Sequence, residues 1–131
     1  AVCTANNSFQ NARVLSADPL ASMKVSRSFL SGERLERLRR ADAIVRGLTH
    51  ASGFDRRVWQ FPVILIPVGT SPRPDSIVLR PVDSVDGMTA RSVPMEPALL
   101  RAIAAQLLDV PGVCGVFYDL THKPPGTIEW E

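Results

Sequence analysis

The densest chemistry in this 131-residue chain lies at its end, in Tyr118-Asp-Leu-Thr-His-Lys-Pro-Pro-Gly-Thr-Ile-Glu-Trp-Glu131. Lys123 is a compact cation suited to a phosphate. Glu129 can accept hydrogen bonds from hydroxyl or amide donors. The Pro124-Pro125 step fixes the backbone between them, and Gly126 permits a close approach or a positive φ. Two readings follow from these residue types: a site for a ligand with an anionic and a polar part, or a plain structural turn.

Other chemistry has little to stand on. The two histidines, His50 and His122, fall at a helix end and in a connector, and no Ser or Cys sits in a G-x-S-x-G elbow. No nucleophilic triad is predicted, and no catalytic residue is assigned. Two His, two Cys and scattered acids show no metal-ligand spacing. Neither common Gly-rich phosphate loop is present. Gly112-Val-Cys-Gly115 matches a bare G-x-x-G, but in KH domains that loop joins two helices and grips a nucleic-acid backbone. Here it joins a helix to a strand and carries no Lys or Arg, so it reads as a helix stop. A formal net charge of +2, from 15 Lys+Arg against 13 Asp+Glu, is too small for a nucleic-acid footprint. Arg34, Arg37, Arg39 and Arg40 cluster, but Glu33, Glu36 and Asp42 interleave them, which reads as a solvated helix face with a Glu36–Arg40 pair.

The elements that must position the tail follow from periodicity. Residues 1–22 lack it and are predicted to form a mobile arm, leaving one domain over 23–131. Met23–Leu30 alternates loosely, as a short strand would. Ser31 offers an N-cap, Leu35, Leu38, Ile44, Val45 and Leu48 keep helical spacing, and Gly53 supplies the stop, which predicts a helix over 32–50. Val58–Val68 and Ile77–Val85 read as a hairpin around the turn chemistry of Gly69–Ser76. Pro97 opens a second helix with the stripe Leu99, Leu100, Ile103, Ala104 and Leu107. Val113–Leu120 is a third strand and Thr127–Glu131 a short terminal one. The predicted class is α+β, a two-layer α-β-β-α-β-β sandwich with a mostly antiparallel four-stranded sheet.

That sheet is apolar on both faces. Phe61, Val63 and Leu65 point one way, and Ile64 and Ile66 the other; Cys114, Val116, Tyr118 and Leu120 oppose Phe117. Two helices cover one side only. The other is expected to take a second copy of the chain, giving a homodimer, or another domain; the alternative cover is the N-terminal arm folded back. No run reaches the roughly 18 apolar residues of a membrane span. With two cysteines, Cys114 among apolar residues, and no secretory signal, a cytoplasmic setting is expected.

The tail KPPGTIEWE resembles the extreme C-terminus of glutamine-dependent GMP synthetases. So do LERLRRADAIVR (Leu35–Arg46), VWQFPVILIPV (Val58–Val68), DGMTA (Asp86–Ala90) and PGVCGVFYDL (Pro111–Leu120), in the same order. The resemblance covers about Met23 to Glu131. It implies the family's C-terminal domain, related in topology to KH-like sheets, which dimerises through its sheet and helps hold xanthosine monophosphate (XMP). It places Gln60, Lys123 and Glu129 on the substrate, Lys by a charge-assisted contact and Gln and Glu by orienting base or ribose. Where family members carry a nucleotide-contacting Arg ahead of the Tyr-Asp pair, this chain has Gly115. An HPFPGPGLAIR segment with a second Arg is replaced by Ser16–Val25, where Lys24 stands nearest to a phosphate contact. The family's longer GDGR loop is cut to Gly69–Ser76. The glutaminase Cys and the SGG-type ATP loop are absent, so ATP and Mg would belong to a separate ATP-pyrophosphatase domain and no cofactor to this chain. The resemblance thus implies a domain that is not catalytic alone and works beside ATP-pyrophosphatase and glutaminase parts. The alternative is a stand-alone homologue acting as a purine-nucleotide-binding or regulatory dimer module.

Overall fold

The computed structural model describes residues 2–5, 20–27 and 30–130. In chain order these form β1 (Val2–Ala5), β2 (Lys24–Val25), α1 (Gly32–Ser52), a 3-10 turn (Phe54–Arg57), β3 (Val63–Ile66), β4 (Val68–Gly69), β5 (Asp75–Leu79), β6 (Val82–Asp83), β7 (Arg91–Ser92), α2 (Pro97–Leu108) and β8 (Val113–Tyr118). The Ser31 hydroxyl accepts the Arg34 N–H at 3.2 Å, and Gly53, at φ 75, ends α1 with its N–H on the His50 carbonyl. Pro97 sits in the first turn of α2, where its missing N–H costs nothing.

The main sheet runs β1-β8-β5-β3. β1 and β8 are antiparallel, as are β3 and β5, while β5 and β8 run parallel with α2 as their crossover. Ala41 and Val45 of α1 and Ile103 and Leu107 of α2 pack on Ile77, Leu79, Val116 and Tyr118, with Val63 and Leu65 alongside. The face read from the sequence to carry Val63 and Leu65, and that carrying Val116 and Tyr118, is the helix-covered one, whereas Leu120, expected with Val116 and Tyr118, lies past the end of β8 and lines the far-face hollow with Phe117. Cys114, expected on the helix-covered face, is buried outside this cluster, at a register shift where β8 gains a residue over β5. On the far face Val78 is 1% exposed, while Ile64, Ile66 and Phe117 are half-buried.

Several expected boundaries move. Pro62 and Pro67 confine the long first strand to Val63–Ile66, because neither can donate to a ladder. Pro81 likewise splits the expected 77–85 strand into β5 and β6. Only Lys24–Val25 of the 23–30 segment is a strand, and Ser28 and Phe29 lie outside the described residues. No strand forms over 127–130. The sheet's fourth strand is β1, from the segment expected to be an arm; residues 1 and 6–19 of that segment lie outside the described residues.

Two buried ionic centres organise the rest. Asp75 is wholly buried, with Arg37 Nη1 at 2.5 Å and Arg34 Nε and Nη2 at 3.1 Å. Arg37, 6% exposed, also donates to the Pro111 carbonyl at 2.7 Å and to Glu33 at 2.6 Å. This corrects the reading of the arginine cluster as a solvated face: Arg34 and Arg37 turn inward, and only Arg39 and Arg40 stay out. Glu36 pairs with Arg39 rather than Arg40. Gly112 (φ 87) lies so close to the Arg37 guanidinium that a Cβ there would meet it at 2.3 Å.

The second centre is Arg80, also fully buried. Its Nε donates to the Ile128 carbonyl at 3.0 Å, Nη1 to the Thr121 carbonyl and hydroxyl, and Nη2 to the Thr127 carbonyl, while Nη1 forms an ion pair with Asp119 at 2.8 Å. The tail's carbonyls thus meet a guanidinium where a strand would meet another strand. Asp119 further accepts the Thr121 N–H and hydroxyl and the Trp130 indole N–H, the last at 2.6 Å. Burial works to raise its carboxyl. The Thr121 amide and hydroxyl, the Trp130 indole and the Arg80 charge outweigh that and hold it below the usual carboxylate range.

Replacing Asp75 by Ala leaves two inward guanidiniums without their carboxylate, and should lower unfolding stability by about 3–5 kcal/mol, read from denaturant midpoints. The Asp119 carboxyl gives a pH test. Its folded pKa lies below its unfolded value near 3.9, so its stabilisation is complete above about pH 4 and is lost as pH falls through the folded pKa. Trp130 emission should change in that acid range, and Asp119→Asn should abolish the acid step.

Candidate functional site

Three of the residues singled out in the sequence are gathered by a small apolar cluster of Val82, Ala90 and Ile128. Gln60 exchanges main-chain hydrogen bonds with Val82, at 3.2 Å and 2.9 Å. Lys123 does the same with Ala90, at 3.0 Å and 2.8 Å. Glu129 follows Ile128 and is exposed. Each is therefore one residue or one main-chain pairing away from the same buried hub. Lys24 is not brought there. It lies exposed in the β2–β4 ribbon opposite Gly69, next to Met23, whose methyl sits over Gly115. Gly115 itself faces Met23, Ser76 and Phe117, and a Cβ there would lie 2.9 Å from the Met23 methyl. The space an arginine would need at that position is thus filled.

The Lys123 ammonium donates to the Gly87 carbonyl at 2.9 Å and is half-buried. One of its three N–H groups is used in this way, leaving two for an incoming acceptor. Gly87 tops a tight loop tied by Ser84, whose hydroxyl accepts the Gly87 N–H and donates to the Thr89 carbonyl. Asp86 accepts from Met88 and Thr89 in the same loop. The Trp59 ring flanks Gly87, 3.3 Å from where a Cβ would stand. Across the tail, the Lys123–Pro124 and Pro124–Pro125 bonds are both cis. Gly126 donates to the His122 carbonyl at 2.9 Å, and any Cβ there would press on Thr121 and His122. Trp130 adopts φ 64, uncommon for a bulky side chain, with its indole anchored on Asp119.

A second depression, of about 600 Å³, lies between α1 and the 3-10 turn and includes His50, Asp55, Trp59 and Phe61. His50 Nδ1 is 2.8 Å from Asp55, and that contact chiefly holds the Asp55 carboxyl below its ordinary value. The one hydroxyl in its wall, on Thr49, donates to the Val45 carbonyl. Among the described residues no group of three or more His, Cys, Asp or Glu could hold a metal, and no helix is long and apolar enough to cross a membrane.

Sequence reasoning did not find Arg80, Asp119 or Trp59. Only Arg80 carried a signal, as a lone charge inside the apolar run Ile77-Val-Leu-Arg-Pro-Val82.

The family model described as GMP synthase C terminal domain matches residues 48–130. The chain is 46% identical over 94 residues to a probable GMP synthase (glutamine-hydrolyzing) of Leptospira interrogans, covering 72% of this chain and 16% of that protein. It is 46% identical over 115 residues to the GMP synthase (glutamine-hydrolyzing) of Mycobacterium marinum, covering 78% and 21%. The Aeropyrum pernix enzyme of the same name is 42% identical over 110 residues, covering 78% and 22%. The chain thus spans about a fifth of the length of these curated relatives. A family match over residues 48–130, together with relatives of this identity, leads to one conclusion: the chain belongs to the GMP synthase C-terminal domain family.

Proposed function

We propose that this domain serves GMP biosynthesis as a dimerising, XMP-contacting unit, with ATP, Mg and glutamine handled by ATP-pyrophosphatase and glutaminase parts outside it. The observation that carries the reading is the gathering of Gln60, Lys123 and Glu129 around Val82, Ala90 and Ile128. Lys123 keeps two N–H groups for a phosphate, and Glu129 stands exposed to accept from a hydroxyl or amide. The domain makes no bond by itself; it holds and orients. The free, buried thiol of Cys114 accords with a reducing cytoplasm.

Dimerisation draws support from the far face of the sheet. Ile66, Val78, Phe117, Leu120 and Trp130 line an apolar hollow of about 220 Å³ there, beside half-buried Ile64. A homodimer through this face buries side chains worth roughly 1.5–3 kcal/mol each. Gly115 under Met23 and Lys24 out in the β2–β4 ribbon favour a second reading, a nucleotide-binding or regulatory module that no longer supports catalysis, because two cationic contacts are missing. Adding the chain to an ATP-pyrophosphatase and glutaminase pair separates the two, since only the first reading predicts GMP formation.

Titration with XMP should change Trp130 emission. Lys123→Ala should weaken binding by roughly 10- to 150-fold, the equivalent of one charge-assisted hydrogen bond of about 1.5–3 kcal/mol. No response at millimolar XMP would overturn the nucleotide reading. Sedimentation at tens of micromolar should show a dimer that Phe117→Asp dissociates; a wild-type monomer would refute the pairing.

A further inference from the structure

We infer that Arg80 is a positioning residue that fixes Lys123 and Glu129 relative to Gln60 without touching the ligand; this rests on the nucleotide reading above. The loop bearing Lys123 runs out from Asp119 and Thr121 and returns through Thr127 and Ile128. Those two limbs form no strand ladder. The Arg80 guanidinium joins them at their base, with Thr121 and Asp119 on one side and the Thr127 and Ile128 carbonyls on the other, beside the Trp130 indole on Asp119 and the Gly126 N–H on the His122 carbonyl. Each of its three nitrogens is engaged and the side chain is fully buried, so it has no face for a ligand. Glu129 follows directly on the Ile128 carbonyl that Nε grips.

The same short run of backbone supports the third contact. Arg80 follows β5, a central strand, and its own N–H donates to the Pro62 carbonyl at 3.1 Å. Two residues on, Val82 is the main-chain partner of Gln60. Pro81 between them receives the Val93 N–H at 3.0 Å. Arg80-Pro81-Val82 therefore holds Gln60 through backbone and the Lys123–Glu129 loop through a side chain, all from one rigid strand end. Only a planar fork can grip both limbs at once. A lysine places one point charge there and must let one limb go.

The test compares Arg80→Lys with the wild-type chain by amide hydrogen exchange and by XMP titration. The tail amides of Thr121, Lys123 and Gly126 should lose protection by about 100-fold or more while Val78 and Leu79 keep theirs, and the XMP Kd should rise at least 10-fold at unchanged stoichiometry. Lys123→Ala is the control: it should weaken XMP binding while leaving Thr121 and Gly126 protected. If Arg80→Lys unfolds the domain, shown by loss of Val78 protection, Thr121→Ala removes one of the Arg80 acceptors together with the hydroxyl's bond to Asp119, and should raise the Kd about 3-fold with local loosening. Unchanged tail exchange, or a loosened tail with wild-type XMP affinity, overturns the role of Arg80. A wild-type chain that ignores millimolar XMP instead overturns the nucleotide reading, and the ligand part of this inference with it.

Discussion

A guanidinium removed from water must find an acceptor for its N–H groups, and the geometry of its planar fork dictates where those acceptors stand. Arg80 imposes that constraint on the last dozen residues of this domain. Its acceptors are mostly main-chain carbonyls, at Thr121, Thr127 and Ile128, with a single carboxylate, Asp119, balancing the charge. A tail rich in proline and glycine, which local propensity would leave in many conformations, is thereby held in one. The apolar side of the same arrangement is small: Ile128 closes over Val82 and Ala90. Order in this region comes from polar saturation more than from buried area.

Asp75 works the opposite way. There a lone carboxylate is buried, and the two cations come from consecutive turns of α1. Because Arg37 also reaches the Pro111 carbonyl and lies against Gly112, one side chain ties the first helix, the start of β5 and the turn into β8. The sheet and its helices thus share two ionic joints. One sits at the start of β5 and the other just past its end, and the apolar core of Ile77 and Leu79 lies between them. The C-terminal tail is attached to the second joint and the helical layer to the first.

Much of this architecture can be read from residue order. The Ser31 cap, the Gly53 stop, the stripe of α2 and the sidedness of Val63, Leu65, Val116 and Tyr118 are local signals, and each is present in the fold. Gln60, Lys123 and Glu129 are singled out together by the resemblance of motifs, since nothing in spacing alone joins residues so far apart in sequence. What could not be read was long-range. Whether β1 or the terminal segment completes the sheet depends on which backbone finds a partner, and Arg80 claims the carbonyls of the latter. The inward turn of Arg34 and Arg37 hides in a run of alternating charges, because helical charge patterning looks the same whether a buried acid waits across the interface or not.

The place of β1 has one more consequence. It borders β8 along Val2–Ala5, pairing with Gly115 through Tyr118, so β8 is an inner strand of the hydrogen-bonded array, with β1 and β3 as its margins. Remove that short border and β8 becomes a naked margin, its row of amides and carbonyls ready to template any extended chain that meets it. By pairing with it, residues 2–5 withhold the β8 backbone from such contacts.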